Sequence, residues 1–153
     1  WKTLESHEAS ILDTVAGIAA SGTTPYVIGG VQKAKENGLL TACITNNKNS
    51  PLAAAVAYPI EAEVGPEYVT GSTRMKSGTA QKLILNMIST TLMIRLGHVV
   101  GNRMVDMQLS NEKLWERGIT YLVEALQVSN ADAKALLVEH RSVRAALKAY
   151  TKG

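Results

Sequence analysis

Cysteine is nearly absent from this chain, because Cys43 is the only one among 153 residues. A single cysteine excludes an intramolecular disulfide framework and a zinc site built from several thiolates. It is also typical of a reducing compartment, so we expect a cytoplasmic protein. The three histidines lie far apart in the sequence and form no metal-ligand pair, so we expect no metal site.

Long apolar runs are also missing, which argues against a membrane-spanning helix of the usual ~20 residues. The most apolar long segment, Leu83–Leu96, is interrupted by Asn86, Arg95 and three hydroxyl side chains. The N-terminus lacks the charged and then apolar layout of a secretory signal. Because the first residue is Trp1 rather than Met, we expect a fragment or a processed product.

Charge of either sign is modest, since 16 lysines and arginines against 13 aspartates and glutamates give a net charge of +3. This excess suits a phosphorylated small molecule and is too diffuse to indicate a nucleic acid. Hydrophobic residues make up 46% and charged residues 19%, which argues against disorder and fibrous architectures. The length corresponds to about one domain, on the usual ~100–200 residues.

Short apolar runs alternate with helical patterns in the first 64 residues. Strands are predicted over Thr14–Ala20, Leu39–Thr45 and Tyr58–Val64, and helices over Tyr26–Asn37 and Pro51–Ala57. Continuous apolar runs of this length are typical of strands buried on both faces. The alternation predicts a parallel sheet with right-handed crossovers, and therefore an α/β fold.

The rest of the chain is largely helical in pattern. A long helix, amphipathic or largely buried, is predicted over Ser72–Leu96, and His98–Gln108 is either extended or a docked loop. Three further helices are predicted over Glu112–Leu126, Asp132–Glu139 and Ser142–Tyr150, with Asn111 and Asn130 as candidate caps of the first two. We expect residues 1–108 to belong to an α/β domain and residues 109–153 to form a small helical subdomain.

A hydroxyl-rich loop joins the first predicted strand to the first predicted helix. It reads Ser21-Gly22-Thr23-Thr24-Pro25, at the end of the strand where open α/β sheets bind ligands. The helix N-terminus offers free N–H groups, and Gly22 permits close approach of the backbone. The loop lacks the Gly-Lys-Ser/Thr ending of a Walker motif. Two interpretations remain, namely a phosphate cradle without lysine and a turn capped by Ser or Thr.

A second loop, before the long helix, contains Glu67 and a Ser72-Thr73 pair. Arg74 and Lys76 fall in the first predicted turn, where cations are unfavourable beside the helix dipole. A bound anion would relieve that conflict, and the alternative is that both side chains point to solvent. Glu67 could accept a sugar hydroxyl, act as an acid or base, or tether the loop.

Two sets of polar residues in the C-terminal third of the chain are interpreted first as structural. Asp106, Asn111 and Glu112 form a polar cluster that we interpret as a cap or packing network, with ligand contact as the alternative. Four basic residues fall on one helical face that we interpret as solvated: Arg141, Arg144, Lys148 and Lys152.

Long motifs occur in Gly17–Ile28 (GIAASGTTPYVI), Val64–Leu83 (VGPEYVTGSTRMKSGTAQKL), Gly101–Asp106 (GNRMVD) and Asn111–Leu114 (NEKL). Together they resemble the N-acetylmuramic acid 6-phosphate etherases, which are sugar isomerase (SIS) domain proteins. The resemblance covers nearly the whole chain and is clearest from about Asp13 to Leu114. Ser-Gly-x-Thr alone would indicate only the wider SIS superfamily.

The resemblance implies a three-layer, flavodoxin-like SIS sandwich with a parallel sheet, incomplete here, followed by the helical subdomain. Such lyases cleave the D-lactyl ether of N-acetylmuramic acid 6-phosphate in cell-wall recycling, a branch of amino sugar catabolism. A base removes the proton at C2, an acid assists the departure of D-lactate from C3, and water adds to give N-acetylglucosamine 6-phosphate. The resemblance also implies a homodimer and no metal or organic cofactor.

The resemblance assigns seven residues to binding of the phosphorylated sugar. They are Ser21 and Thr24 as phosphate-binding hydroxyls, Gly22 and Thr23 as backbone support, Ser72 and Thr73 at the start of the long helix, and Glu67 in the pocket loop. The catalytic residues are not assigned.

Other family features have no counterpart in this chain. The resemblance implies five parallel strands, of which about three are predicted here. It also implies a further Gly-Thr-Ser-Gly-Arg phosphate loop, which is absent here, and two catalytic glutamates in segments upstream of Trp1. We therefore expect the C-terminal portion of an etherase that lacks the catalytic pair and the N-terminal portion of the same protein. Asn46–Ser50 replaces a Pro-Gly turn, and we expect that difference to alter only a surface loop.

Two function classes remain at this point. One is a carbon–oxygen lyase, of which this chain is a part. The other is a non-catalytic module that senses sugar phosphates, similar to the glucokinase regulatory protein. An aldose–ketose phosphate isomerase is a third reading, but it also needs an acid/base pair that cannot be assigned here.

Overall fold

The computed structural model describes residues 1–151, so Lys152 and Gly153, the end of the predicted helical subdomain, lie outside the described residues. The chain divides into two compact units, Trp1–Met87 and Ile88–Gly153. The boundary that we expect between residues 108 and 109 stays a prediction.

The first unit contains a parallel sheet of three strands in the order β1-β2-β3. A short helix α1 (Lys2–Glu5) comes first, and two helices lie between the strands. The elements are β1 (Thr14–Ile18), α2 (Pro25–Glu36), β2 (Leu40–Thr45), α3 (Pro51–Ala55) and β3 (Tyr58–Glu61). The predicted α/β fold with a parallel sheet is confirmed.

Helices α2 and α3 pack on one face of this sheet. Val31 of α2, Cys43 of β2 and Leu52 of α3 are buried together. Each fully buried side chain of Val or Leu size contributes about 1.5–3 kcal/mol. Gly17 of β1 allows the close approach of α2, because a Cβ atom there would lie 2.8 Å from a methyl carbon of Val27.

The opposite face of the sheet is more open than the apolar runs predict. Ile44 is buried there, but Ile18, Leu40, Tyr58 and Ile60 on the same face are exposed. The expectation of strands buried on both faces is therefore met on one face only. Within residues 1–151, β1 and β3 are also the two edges of this sheet.

The long helix α4 (Lys76–Arg95) begins four residues later than predicted, because residues 73–75 form turns. Its apolar side chains, among them Leu83, Met87 and Leu92, are exposed. The prediction of an amphipathic or largely buried helix is thus wrong for the chain as described. In the described part of the chain, no helix is long and apolar enough to cross a membrane.

The second unit contains a short antiparallel hairpin and three helices. The elements are β4 (Val99–Val100), β5 (Arg103–Met104), α5 (Glu112–Leu126), α6 (Asn130–His140) and α7 (Val143–Tyr150). Residues His98–Gln108, predicted to be either extended or a docked loop, are therefore partly extended, because they include the β4–β5 hairpin. The three helices enclose a core that includes Leu122, Leu137 and Val143.

Side-chain caps begin all three of these helices. Asn111 caps α5 as predicted, since its Oδ1 accepts a hydrogen bond of 3.0 Å from the Leu114 N–H. The prediction of Asn130 as a cap is wrong, because Ser129 is the cap of α6 and Asn130 is its first residue. The Ser129 hydroxyl accepts a hydrogen bond from the Asp132 N–H, which satisfies one of the free donors at the helix start.

Candidate functional site

The loop after β1, residues 19–24, is held tightly against the rest of the first unit. Gly22 is buried and has a φ of +68°, a backbone conformation that favours glycine. A Cβ atom at this position would lie 2.3 Å from the Ser50 Oγ. The Leu52 N–H donates to the Gly22 carbonyl at 2.9 Å, which joins the loop to the start of α3. We call residues 19–24 the β1 loop.

The β1 loop presents three hydroxyl side chains to solvent. Ser21, Thr23 and Thr24 are exposed, and the hydroxyl oxygens of Ser21 and Thr23 lie 2.9 Å apart. Thr24 is the N-cap residue of α2, but its side chain makes no capping hydrogen bond. The Thr23 N–H donates to the Ser21 Oγ at 3.2 Å, so the interpretation of a Ser- or Thr-capped turn holds for Ser21 and not for Thr24. The Thr24 hydroxyl lies at the positive end of α2 without a capping role.

Asn46, at the end of β2, connects the β1 loop to β3 and α4. Its backbone N–H donates to Ala20 at 2.9 Å, and its Nδ2 donates to the Ala62 carbonyl at 2.9 Å. The Gln81 Nε2 donates to the Asn46 Oδ1 at 3.1 Å. Asn46 is only 4% exposed, so these bonds satisfy a buried amide.

The expectation that Asn46–Ser50 forms only a surface loop is wrong at both of its ends. Asn46 and Ser50 are buried, and the Ser50 Oγ accepts a hydrogen bond from the Ala53 N–H at the start of α3. The three residues between them are exposed. Sequence reasoning missed Asn46, although a polar residue directly after a buried strand is the signal that could have found it.

Glu67 caps the N-terminus of α4. Its two carboxylate oxygens accept hydrogen bonds from the N–H groups of Lys76 (2.9 Å) and Ser77 (3.0 Å). These backbone hydrogen bonds lower the pKa of Glu67, because they stabilise the charged carboxylate. Of the three roles considered for Glu67, this geometry matches the tether.

The cations of the second loop are accommodated without a bound anion. The Lys76 Nζ donates to the Pro66 carbonyl at 2.9 Å, and the Glu67 carboxylate lies at the positive end of the helix. Arg74 lies in the turn before α4 and is exposed. The predicted conflict between these cations and the helix dipole is therefore relieved by Glu67 and by the later start of the helix.

Ser72 and Thr73 lie in the turn that precedes α4. Ser72 is half-buried, and its N–H donates to the Val69 carbonyl at 3.1 Å, whereas Thr73 is exposed. Within residues 1–151, no hydrogen bond joins this turn directly to the β1 loop. The connection runs from Ala20 through Asn46 to Gln81 on α4.

Two further features of the described residues concern metal ligands and the thiol of Cys43. Residues 1–151 contain no group of three or more His, Cys, Asp or Glu side chains that could hold a metal ion. Burial raises the pKa of the Cys43 thiol, which disfavours the reactive thiolate.

Asp106 joins His98 and Arg144 through hydrogen bonds within the second unit. Its carboxylate accepts two hydrogen bonds of 2.6 Å from the Arg144 guanidinium and lies 2.7 Å from the His98 Nδ1. The Arg144 and His98 hydrogen bonds hold the pKa of Asp106 well below its usual range. This geometry matches a packing network, and Arg144 is not simply a solvated cation.

Comparison with known proteins identifies the fold family. The family described as "SIS domain" matches residues 9–91, which include all seven predicted site residues. The chain belongs to the SIS domain family. Curated relatives extend the similarity beyond the SIS domain to nearly the whole chain.

Proteins named N-acetylmuramic acid 6-phosphate etherase are among these relatives. The protein of Christiangramia forsetii is 60% identical over 150 residues, which are 98% of this chain and 55% of the relative. The protein of Bacteroides thetaiotaomicron is 60% identical over 99% of this chain and 55% of its own length. That of Porphyromonas gingivalis is 63% identical over 95% of this chain and 53% of its own length. The resemblance is confirmed, and the chain spans about half the length of the curated relatives it matches.

Proposed function

We propose that this chain binds a phosphorylated amino sugar and is part of an N-acetylmuramic acid 6-phosphate etherase, a carbon–oxygen lyase of cell-wall recycling. The sequence identity of 60% to proteins of that name, over nearly the whole chain, is the observation that carries the proposal. These relatives are named as etherases and not as regulators, so no observation favours the sensor.

The β1 loop supplies the phosphate-binding groups in this proposal. Ser21, Thr23 and Thr24 offer hydroxyl donors beside the N-terminus of α2, where the positive end of the helix dipole favours an anion. The buried Gly22 lets the loop backbone pass close to Ser50 and leaves the hydroxyls exposed. Ser72 and Thr73 add hydroxyls near the start of α4.

Glu67 has a positioning role in this proposal. Its carboxylate is engaged by two backbone N–H groups and its pKa is lowered, whereas a general base works best with a pKa near the operating pH. The base at C2 and the acid at the C3–lactate bond would come from the N-terminal portion of the same protein. This chain would bind and orient the phosphorylated sugar.

The first unit and α4 have exposed apolar surfaces, which we interpret as contact surfaces for other parts of the same protein and for a second copy of it. We assign the open sheet face with Ile18, Leu40 and Tyr58 to the N-terminal portion. We assign the exposed apolar side chains of α4 to the homodimer interface. The unpaired Cys43 supports a cytoplasmic location.

Lactate release tests this proposal. N-acetylmuramic acid 6-phosphate is incubated with the native polypeptide and with the 153-residue chain, and D-lactate is measured enzymatically. We expect release from a native polypeptide that includes the N-terminal portion, and none from the chain alone. A native protein that starts at Trp1, gains thermal stability with the sugar phosphate and releases no lactate would contradict the etherase and favour the sensor.

A further inference from the structure

A cavity of about 650 Å³ lies in the second unit, between the β4–β5 hairpin segment and α5. This volume is within the usual range of about 300–1,000 Å³ for small-molecule sites. Apolar side chains line part of it, including Met104, Met107 and Leu114. The cavity contains none of the seven residues assigned to the sugar-phosphate site.

Cations dominate the charged groups that line this cavity. Lys113 and Arg117 are one helical turn apart on α5, and Glu116 is the acid among the lining residues. Within residues 1–151, neither Lys113 nor Arg117 forms an ion pair or a side-chain hydrogen bond. Like charges at this spacing destabilise a helix, and Lys113 also lies in the first turn, where the dipole disfavours a cation.

The third lining cation is already engaged. Arg103 forms an ion pair with Glu124, and its guanidinium lies 5.6 Å from the centroid of the Tyr121 ring. Arg103 and Tyr121 both line the cavity. The two cations that remain unpaired are therefore Lys113 and Arg117.

We propose that this cavity binds a phosphate monoester whose ring or apolar part packs against Met104, Leu114 and Tyr121. A phosphate anion suits the two unpaired cations, which outnumber the lining acid Glu116, and an arginine guanidinium suits phosphate geometry. Asn102 and Thr120 add neutral hydrogen-bonding groups to the lining. The proposal rests on this cavity and goes beyond the proposed function, which concerns the β1 loop.

Titration of the ¹⁵N-labelled chain with phenyl phosphate tests the site by amide chemical shifts. We expect shifts concentrated in residues 102–121. The Lys113→Gln/Arg117→Gln double variant should raise the dissociation constant by about tenfold or more, because both charge-assisted contacts are lost. Lys134→Gln on α6 is the matched control, since this exposed lysine does not line the cavity and should leave binding unchanged. An intact amide spectrum of each variant checks that it is folded.

Three outcomes would overturn the proposal. Shifts confined to residues 19–24 would remove this cavity as a site while supporting phosphate binding by the β1 loop. A dissociation constant unchanged in the folded double variant would exclude the two cations. Benzoate binding as tightly as phenyl phosphate would show that the cavity does not select a phosphate group. Inorganic phosphate binding more weakly than phenyl phosphate would support the role of the apolar wall.

Discussion

At the scale of single residues, the shape of the β1 loop depends on Gly22. Gly22→Ala would place a Cβ atom 2.3 Å from the Ser50 Oγ and would strain a residue with a φ of +68°. We expect the free energy of unfolding to fall by roughly 2–4 kcal/mol, from the left-handed backbone and the overpacking together. Urea denaturation measures this change.

Gly29→Ala is the matched control for this substitution. Gly29 lies within α2, and a Cβ atom there would meet nothing within 4 Å. Alanine is favoured over glycine inside a helix, so this variant should be more stable by about 0.5–1 kcal/mol. Equal stability of the Gly22→Ala variant and the wild type would contradict the account of the loop.

Single residues also show how far the sequence could predict the site. The hydroxyls of Ser21 and Thr24 and their position after a strand are visible in the sequence, and their assignment to the sugar site stays a prediction. The role of Glu67 was one of three readings, because its capping bonds depend on where α4 begins. Asn46 was missed, since its partners Ala62 and Gln81 are 16 and 35 residues away.

At the scale of elements, Asn46 joins two strand ends to α4. Asn46→Ala would leave the Ala62 carbonyl and the Gln81 amide without this partner. We expect a loss of about 1–3 kcal/mol in unfolding free energy, because two partly buried polar groups lose their hydrogen-bond partner. Asn47→Ala, at an exposed neighbour with one side-chain bond to Ala20, is the control and should cost less. Equal losses in thermal or urea denaturation would argue against the Asn46 connection.

The stability of the N-terminus of α4 should decrease at acidic pH, because protonation of Glu67 weakens its capping hydrogen bonds. Because the pKa of Glu67 is lowered in the folded chain, its stabilising effect is present above its ordinary pKa of about 4.3 and is lost as the pH falls below it. Glu67→Gln should lower the melting temperature by a few degrees at neutral pH and reduce the loss between about pH 5 and pH 3.

Differential scanning calorimetry across this pH range measures the effect of Glu67. Glu8→Gln, at an exposed carboxyl in another segment, is the control for the loss of one negative charge. The lowered pKa values of Glu63 and Asp106 add to the acid sensitivity of both proteins, so the difference between the profiles is the relevant quantity. Identical profiles for wild type and Glu67→Gln would contradict the capping role.

The positions of most helices and strands were predictable from the local sequence pattern. The three strands and α2, α3 and α5–α7 lie close to their predicted positions, because apolar runs, Pro at a first helical position and Gly stops act locally. The start of α4 was misplaced because its cap, Glu67, lies nine residues before Lys76. The hairpin β4–β5 has two residues in each strand, too few for a clear alternation.

At the scale of the whole molecule, the exposed apolar side chains of α4 predict self-association. Leu92 is 54% exposed. If α4 packs across a homodimer, Leu92→Lys would bury an unpaired charge and raise the dimer dissociation constant by about tenfold or more. Sedimentation equilibrium of the native polypeptide measures this, with Lys134→Glu on α6 as a charge-changing control. A dimer equally stable in both variants would exclude α4 from the interface.

The parallel α/β fold followed from the sequence, but the exposure of its surfaces did not. Alternating strands and helices restrict the topology, whereas burial depends on which elements cover a face. The apolar residues of β1 and α4 predict buried positions that the described chain leaves exposed. The proposed function assigns these surfaces to the N-terminal portion and to the homodimer interface, which are elements that the local sequence pattern does not include.

Isothermal titration calorimetry with N-acetylglucosamine 6-phosphate tests the central claim most directly, that the β1 loop holds a phosphorylated amino sugar. Ser21→Ala should weaken binding by about 1–3 kcal/mol, the range for a hydrogen bond to a charged group. Thr14→Ala, at the opposite end of β1, should bind as the wild type does. An affinity unchanged in folded Ser21→Ala and Thr24→Ala variants would contradict the claim.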